Sequence, residues 1–183
     1  VFALRRDNRL LATALVALEG GLPDGLADQV YGGHRRVRGH LIPQSLLAHG
    51  GISGAGACRG ARVMRITVHP VLQGRGLGSR LLQAVVAHAR QRGLDWIGTS
   101  FGVSPALLGF WRRNGLEPVR IGVNREASSG SHAVLMLKPL NEAGEALYRR
   151  ARGRFLERFP DQLAETLQDL EPELVLPLLR RAP

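Results

Sequence analysis

The segment Arg65-Ile66-Thr67-Val68-His69-Pro70-Val71-Leu72-Gln73-Gly74-Arg75-Gly76-Leu77-Gly78-Ser79 constrains the fold more than any other stretch of this chain. Ile66, Thr67 and Val68 carry stiff β-branched side chains that suit an extended strand. Pro70 breaks that strand. Gly74, Gly76 and Gly78 then remove side chains where the backbone turns, so successive N–H groups can point at one anion. From Ser79 to Arg92 the apolar residues Leu81, Leu82, Val85, Val86 and Ala89 recur at helical spacing. The start of such a helix adds unpaired donors and partial positive charge to the same spot. Strand, glycine turn and helix together read as a phosphate cradle.

The rest of the chain supplies strands around that unit. Val1–Arg5 and Leu10–Leu18 are two apolar runs joined by the polar turn Arg6-Asp7-Asn8-Arg9, a hairpin pattern. Residues 20–61 are irregular and long enough to be a functional insertion. Within them, Asp24–Val30 is predicted as a short helix capped by Asp24, and Ile42–His49 as another. Trp96–Phe101 is the next strand, and Ser104-Pro105 opens a helix with serine as its cap and proline at its first position. That helix ends at Asn114-Gly115, followed by strands over Leu116–Val123 and His132–Leu137. From Asn141 onward strand patterns stop, and helices broken at Pro160, Pro172 and Pro177 are expected. The organisation predicted is a domain over residues 1–140 and a helical appendage over 141–183.

Charge limits the partners. The 25 Lys and Arg against 15 Asp and Glu leave a net charge of +10, which favours polyanions or the phosphates of a cofactor. The cluster His34-Arg35-Arg36-Val37-Arg38-Gly39-His40 concentrates part of it. No apolar run approaches the ~20 residues of a membrane span, so no membrane partner is expected. No metal-ligand spacing is present. The single cysteine, Cys58, fits a reducing, cytoplasmic setting and reads as a bystander. The chain opens on Val1 rather than Met and carries no visible leader, which suggests a fragment of something longer.

The glycine turn lacks the Gly-Lys-Ser/Thr of a Walker A loop, and no acidic residue ends the next strand to hold a ribose. The order hairpin, strand, Gln-x-x-Gly-x-Gly, helix, strand, helix ending Asn-Gly, strand, strand resembles the GNAT superfamily of acyl-CoA N-acyltransferases. Gln73-Gly74-Arg75-Gly76-Leu77-Gly78 is similar to their pyrophosphate-binding pattern, and Phe110-Trp111-Arg112-Arg113-Asn114-Gly115-Leu116 to their second cofactor helix. A narrower resemblance is to the tRNA(Met) cytidine acetyltransferases of the TmcA type. Arg65–Pro70 resembles their "RIAVHP", Thr99–Gly102 their "VSFG", Arg125–Gly130 their "REASSG", and Arg35–Leu46 their "RRPRGNLVAQSL". These motifs span roughly Val1 to Leu140 and include the insertion, which ordinary acyltransferases lack.

The resemblance implies an α/β GNAT fold, with a mixed, mostly antiparallel sheet flanked by helices. It implies acetyl-CoA held along Ile66, Thr67 and Val68, with its pyrophosphate on Gln73, Gly74, Arg75, Gly76, Leu77, Gly78 and Ser79, and Arg113 within reach of a phosphate. Arg112 is the weaker candidate. The implied reaction is acetyl transfer to the N4 amine of the wobble cytidine of elongator tRNA(Met). His69 and Glu126 are the proton-handling candidates, Arg35, Arg36 and Arg38 the RNA phosphate contacts, and Phe101 a platform for the base. A helicase-like, ATP-hydrolysing module is expected to precede Val1 in the parent protein. An acetyltransferase of protein or small-molecule amines, or a non-catalytic RNA-docking module, are the alternative readings.

Overall fold

The computed structural model describes residues 1–127 and 130–180. It begins with the hairpin β1 (Phe2–Arg6) and β2 (Arg9–Gly20). The turn residues Asp7 and Asn8 both have positive φ, as a two-residue turn matched to strand twist requires. Two short helical pieces follow: α1 (Asp24–Tyr31), then α2 (Leu41–Gln44), which runs on as a π-helical turn over Ser45–His49. Strand β3 (Arg59–Val68) leads through a single 3₁₀ turn, Pro70–Leu72, to α3 (Leu77–Gln91). Then come β4 (Trp96–Gly102), α4 (Pro105–Arg113), β5 (Glu117–Arg125) and β6 (His132–Pro139). The last elements are α5 (Glu142–Glu165) and α6 (Pro172–Leu179).

All six strands form one sheet in the order β1-β2-β3-β4-β6-β5. Among the described residues only β3 and β4 run parallel; the other neighbours are antiparallel. Because successive side chains point to opposite faces, a strand buried on both faces has no polar alternation. On β6, Val134 and Met136 face α3 and α4, while Leu135 and Leu137 face the insertion. The first layer packs Leu81, Leu82, Val85 and Ala89 of α3 and Leu108 and Trp111 of α4 onto the sheet. The second packs Ile42, Leu46 and Leu47 with Leu147 and Ala151 of α5.

Glu19 ties the insertion to the sheet. Its buried carboxylate accepts a hydrogen bond from the Ile42 backbone N–H at 2.9 Å and another from Arg62 Nε. His40 Nδ1 accepts from the Gly20 N–H at 3.0 Å, which gives that histidine a structural task.

Several local expectations change. Asp24 does not cap α1: Pro23 holds the cap position, and Asp24 lies in the first turn, where its charge suits the helix dipole. Pro172 starts α6 at its first turn. Pro160 and Pro177 lie inside helices and do not break them. A mid-helix proline costs about 3 kcal/mol. At Pro160 that cost is outweighed by Phe155 and Phe159, both buried, whose rings stack with centroids 5.0 Å apart. Leu174 and Leu178 anchor α6 in the same way on either side of Pro177.

Nor does the segment from residue 141 stand off as an appendage. Phe155, Phe159, Leu167, Leu174 and Leu178 belong to the same core as α3 and α4. The buried Arg152 guanidinium donates to Pro118 O on the outer strand β5 at 2.8 Å and to Leu178 O at 2.9 Å. Arg112 of α4 donates to Pro177 O and Arg180 O, so α6 bridges the edge of the sheet to the α4 layer. That pairing makes Arg112 a structural residue.

Candidate active site

The parallel pairing of β3 with β4 is short. It runs from Gly60↔Trp96 to Val63↔Thr99, beyond which β3 stays with β2 and β4 with β6. The sheet therefore opens as a wedge, and the free run of β3 from Met64 to Val68 is about 16 Å long at ~3.3 Å per residue. Thr99 closes the apex, its hydroxyl donating to Val63 O at 3.1 Å. The β2–β3 register slips at this point: Leu15 opposes Arg65 and Val16 opposes Val63, leaving Met64 without a partner in the ladder. A bulged residue frees backbone polar groups from the sheet. At the mouth of a wedge such groups can meet a ligand.

The glycine turn lies at the open end of β3. Gly74 and Gly76 have φ of 76° and 75°, and the space beside each, where a Cβ would sit, is empty to 4 Å. Gly76 is the N-cap of α3, so the donors of the first turn face the same space. Side chains there would be both strained and in the way of an anion. Gly78 is different: a Cβ on it would come within 3.2 Å of the Phe110 ring, so its smallness lets α3 and α4 approach. Asn114 fixes that approach by donating to Ser79 Oγ at 3.1 Å and to Phe110 O at 2.8 Å.

A cleft of about 550 Å³ joins these parts. Of the residues expected to hold cofactor, Ile66, Thr67, Val68, Gln73, Gly74, Gly76, Leu77, Gly78, Ser79 and Arg113 all line it; Arg75 does not. Leu72, Leu107 and Phe110 line it as well. Leu107 and Phe110 were detectable as an i, i+3 pair on the face of α4 next to that of the buried Leu108 and Trp111. Arg113 is exposed, lies at the cleft and has no ion pair among the described residues. Gln73 folds back, its amide donating to Val68 O at 3.3 Å. The cleft, two open glycines, a helix N-terminus and a free arginine suit a long ligand with a phosphate-bearing end.

The two proton-handling candidates are not in that cleft. The His69 backbone N–H donates to Leu11 O at 2.9 Å, extending the β2–β3 pairing. Its side chain lines a separate opening with Arg6, Arg9, Leu10 and Val71 at the hairpin tip. Glu126 is exposed at the end of β5, its N–H donating to Ser131 O and its carbonyl accepting from the Gly130 N–H. Ser128 and Ser129 of the same motif lie outside the described residues. Arg125 is bound on three sides: to Asp169 at 2.6 Å, to Glu171 at 3.3 Å and to Gly130 O at 2.7 Å. Arg35, Arg36 and Arg38 are exposed in the loop between α1 and α2. Phe101 is half-buried and packs against Trp111 with ring centroids 6.1 Å apart. Burial pushes the Cys58 thiol up, away from reactivity.

Comparison with known proteins bears on this geometry. The chain is 46% identical over 181 residues to the tRNA(Met) cytidine acetyltransferase TmcA of Nitrosococcus halophilus, covering 99% of this chain and 24% of that protein. It is 36% identical over 172 residues to the TmcA of Pyrococcus furiosus, covering 93% of this chain and 21% of that protein. The chain thus spans under a quarter of the length of these curated relatives. Among solved structures, the ribosomal-protein-S18-alanine N-acetyltransferase from Escherichia coli shares the fold. Its TM-score is 0.50 at 18% identity, over 78% of this chain and 70% of that one. A model of the GNAT acetyltransferase 2 family matches residues 6–92 and 86–141, which takes in the wedge, the glycine turn and both helices that flank it. The chain belongs to the GNAT acetyltransferase 2 family.

Proposed function

We propose that this chain is the acetyl-transfer part of a tRNA cytidine acetyltransferase, using acetyl-CoA to convert the wobble cytidine of elongator tRNA(Met) to N4-acetylcytidine. The observation that carries the reading is the wedge between β3 and β4, backed by the open glycine turn, in a chain whose curated relatives bear that name. Its setting would be the cytoplasm, beside an ATP-hydrolysing, helicase-like module of the parent protein.

Bound acetyl-CoA supplies an acyl group already activated as a thioester. The residues of this chain do the rest. The N–H groups of the glycine turn and the first turn of α3 hold the pyrophosphate, and Arg113 neutralises a further phosphate. Backbone groups along Ile66 to Val68 hold the arm in line with the strand. Released N–H groups around the Met64 bulge polarise the thioester carbonyl, where negative charge develops. The exocyclic amine of cytidine carries no proton to lose before attack, so orientation within the wedge is the main requirement. Forming the C–N bond at the expense of the C–S bond would release one amine proton and one thiolate, so the proton taken from the amine can be passed, directly or through water, to the sulfur. We assign proton removal to His69, with Glu126 as the second acceptor. Because His69 opens on the hairpin side, a water would bridge it to the amine. Arg35, Arg36 and Arg38 hold RNA backbone phosphates, and Phe101 offers a ring edge to the base.

The test is mass spectrometry of tRNA after incubation with acetyl-CoA, with this chain alone and with the full-length parent. N4-acetylcytidine in tRNA(Met) supports the reading. Acetylation of protein or polyamine substrates without tRNA modification would replace it with amine acetylation.

A further inference from the structure

The cleft of the wedge is not the only place built for an anion. A groove lies between the π-helical turn, the middle of α5 and strand β5, lined by Leu46, His49, Arg120, Arg154, Phe155 and Arg158 among others. No acidic side chain among the described residues lines it. The central cation is Arg120. Its side chain is half-buried and has no ion pair or hydrogen bond among the described residues, and burial holds its guanidinium below its ordinary range. A cation taken out of water without a partner is unfavourable, and hydrophobic residues of similar size serve a purely structural site better.

The chain places Arg120 there by a local irregularity. The β5–β6 register slips between Pro118 and Arg120, leaving Val119 as an extra residue. Arg120 then pairs with Leu135, whose side chain faces the insertion. Bulges of this kind re-aim side chains beside functional sites, and π-turns favour the same places.

The neighbours are only partly used. Arg154 Nε donates to Gly50 O and Arg158 Nη1 to His49 O, each at 3.3 Å, which satisfies carbonyls at the end of the π-turn. A guanidinium carries five N–H donors, so most of theirs stay free. The fields of Arg120 and Arg36 are both felt at the His49 ring, where, after burial, they lower its proton affinity. Of the exposed loop arginines, Arg36 is therefore close enough for its charge to act at the wall of the groove. The groove is small, about 90 Å³ against about 550 Å³ for the glycine-turn cleft, which suits a single anionic group rather than a long ligand.

This space shares no lining residue with the glycine-turn cleft. Two strands, β4 and β6, separate β3 from β5, a lateral offset of roughly 14 Å at ~4.8 Å per strand. It is a second cationic recess on the same sheet. We propose that this groove binds a backbone phosphodiester of the RNA substrate, with Arg120 as the contacting cation and Arg154 and Arg158 as its flanks. The proposal rests on the RNA reading above and adds a second anchor to it.

Arg120→Leu separates this assignment from a structural one, because it removes an unpaired half-buried cation and should leave the melting temperature equal or higher. Binding of tRNA to this chain, followed by fluorescence anisotropy across a salt series, is expected to weaken about 5- to 10-fold. The slope of log affinity against log salt should fall by about 1. Acetyl-CoA affinity should not change. Arg154→Gln, which keeps a donor for Gly50 O, should weaken tRNA binding in the same direction. Unchanged tRNA affinity and salt slope in both variants would overturn the groove while leaving the RNA reading standing. A wild-type chain that ignores tRNA would overturn both. Polyglutamate binding that depends on Arg120, with tRNA binding that does not, would assign the groove to an acidic protein segment instead.

Discussion

His132, at the first position of β6, is almost fully buried, and its Nε2 lies 3.2 Å from a carboxylate oxygen of Asp169, 37 residues later in the chain. Nδ1 of the same ring lies 2.9 Å from Gly122 O. Asp169 also takes a hydrogen bond from Arg125, so one carboxylate joins the β5–β6 loop to the link between α5 and α6. The Arg125 hydrogen bond, and secondly that of His132, hold the Asp169 carboxyl below the usual carboxylate range. Glu171 is shifted the same way, first by a backbone hydrogen bond and then by Arg125. A depressed folded-state value gives stability that is present above the unfolded value, near ~3.9 for Asp, and is lost as pH falls through the folded value. The expected result is that Asp169→Ala melts below wild type at pH 7. The gap should close below about pH 4, as read from melting curves across pH 3 to 7.

Gly76→Ala tests the phosphate cradle. At φ 75° an alanine is strained by roughly 1–2 kcal/mol, although no atom stands within 4 Å of the new methyl group. The methyl would instead enter the space assigned to an anion. The melting temperature should fall by roughly 2–8 °C. Acetyl-CoA affinity by calorimetry should fall tenfold or more. A stability loss with unchanged affinity would move the pyrophosphate elsewhere.

How much of this was legible before folding varies with the kind of interaction. The strand, glycine turn and helix from Arg65 to Gln91 are set by near neighbours, and so was the Ser104 cap, whose side chain does accept from Leu107 N–H. Almost the whole glycine-turn cleft could be read from one 14-residue stretch plus one face of α4, because β-branching, glycine spacing and helical period are local signals. His69 was expected at the opening of the sheet, from its place at the end of the entry strand; that it lines the opening at the hairpin tip depends on the β1–β2 pairing, which no local signal reports. Arg120 gave no signal at all. In the sequence it is one polar residue in a strand, and only the bulge at Val119 and the packing of α5 make it a desolvated cation. Pro160 misled for the same reason: the stacked Phe155 and Phe159 decide that helix, and they find their partners in the fold.

The proton-transfer roles should separate by kinetics. His69→Ala is expected to lower kcat about 100-fold, the low end for a general base, since a water must intervene. KM for acetyl-CoA should hold, because His69 does not line the cleft. Glu126→Gln should have the smaller effect. If Glu126→Gln causes the larger loss of kcat, the two roles are exchanged.

Glu19→Ala should be the most destabilising of these substitutions. It would leave Arg62, whose side chain is 15% exposed, without its carboxylate, and the Ile42 N–H without an acceptor. Breaking a buried pair from one side costs about 3–5 kcal/mol. Urea unfolding should show that loss, with a smaller one for Glu19→Gln, which keeps an acceptor. Hydrogen exchange should rise first across Leu41–His49, the segment that Glu19 holds to the sheet.

The clamp that Arg152 makes between Pro118 and Leu178 also sets a timetable. During synthesis, β5 and β6 can pair as soon as both have emerged, but the Arg152 guanidinium that reaches Pro118 at the outer edge is held from both sides only once residues near 178 follow. At roughly 5–20 residues per second, those ~40 further residues leave the edge loosely held for several seconds on every ribosome. An open edge is a template for pairing with another chain. The final turn of α6 is therefore a late guard against nascent chains joining one another, and slow translation through residues 141–178 should raise aggregation without changing the finished fold.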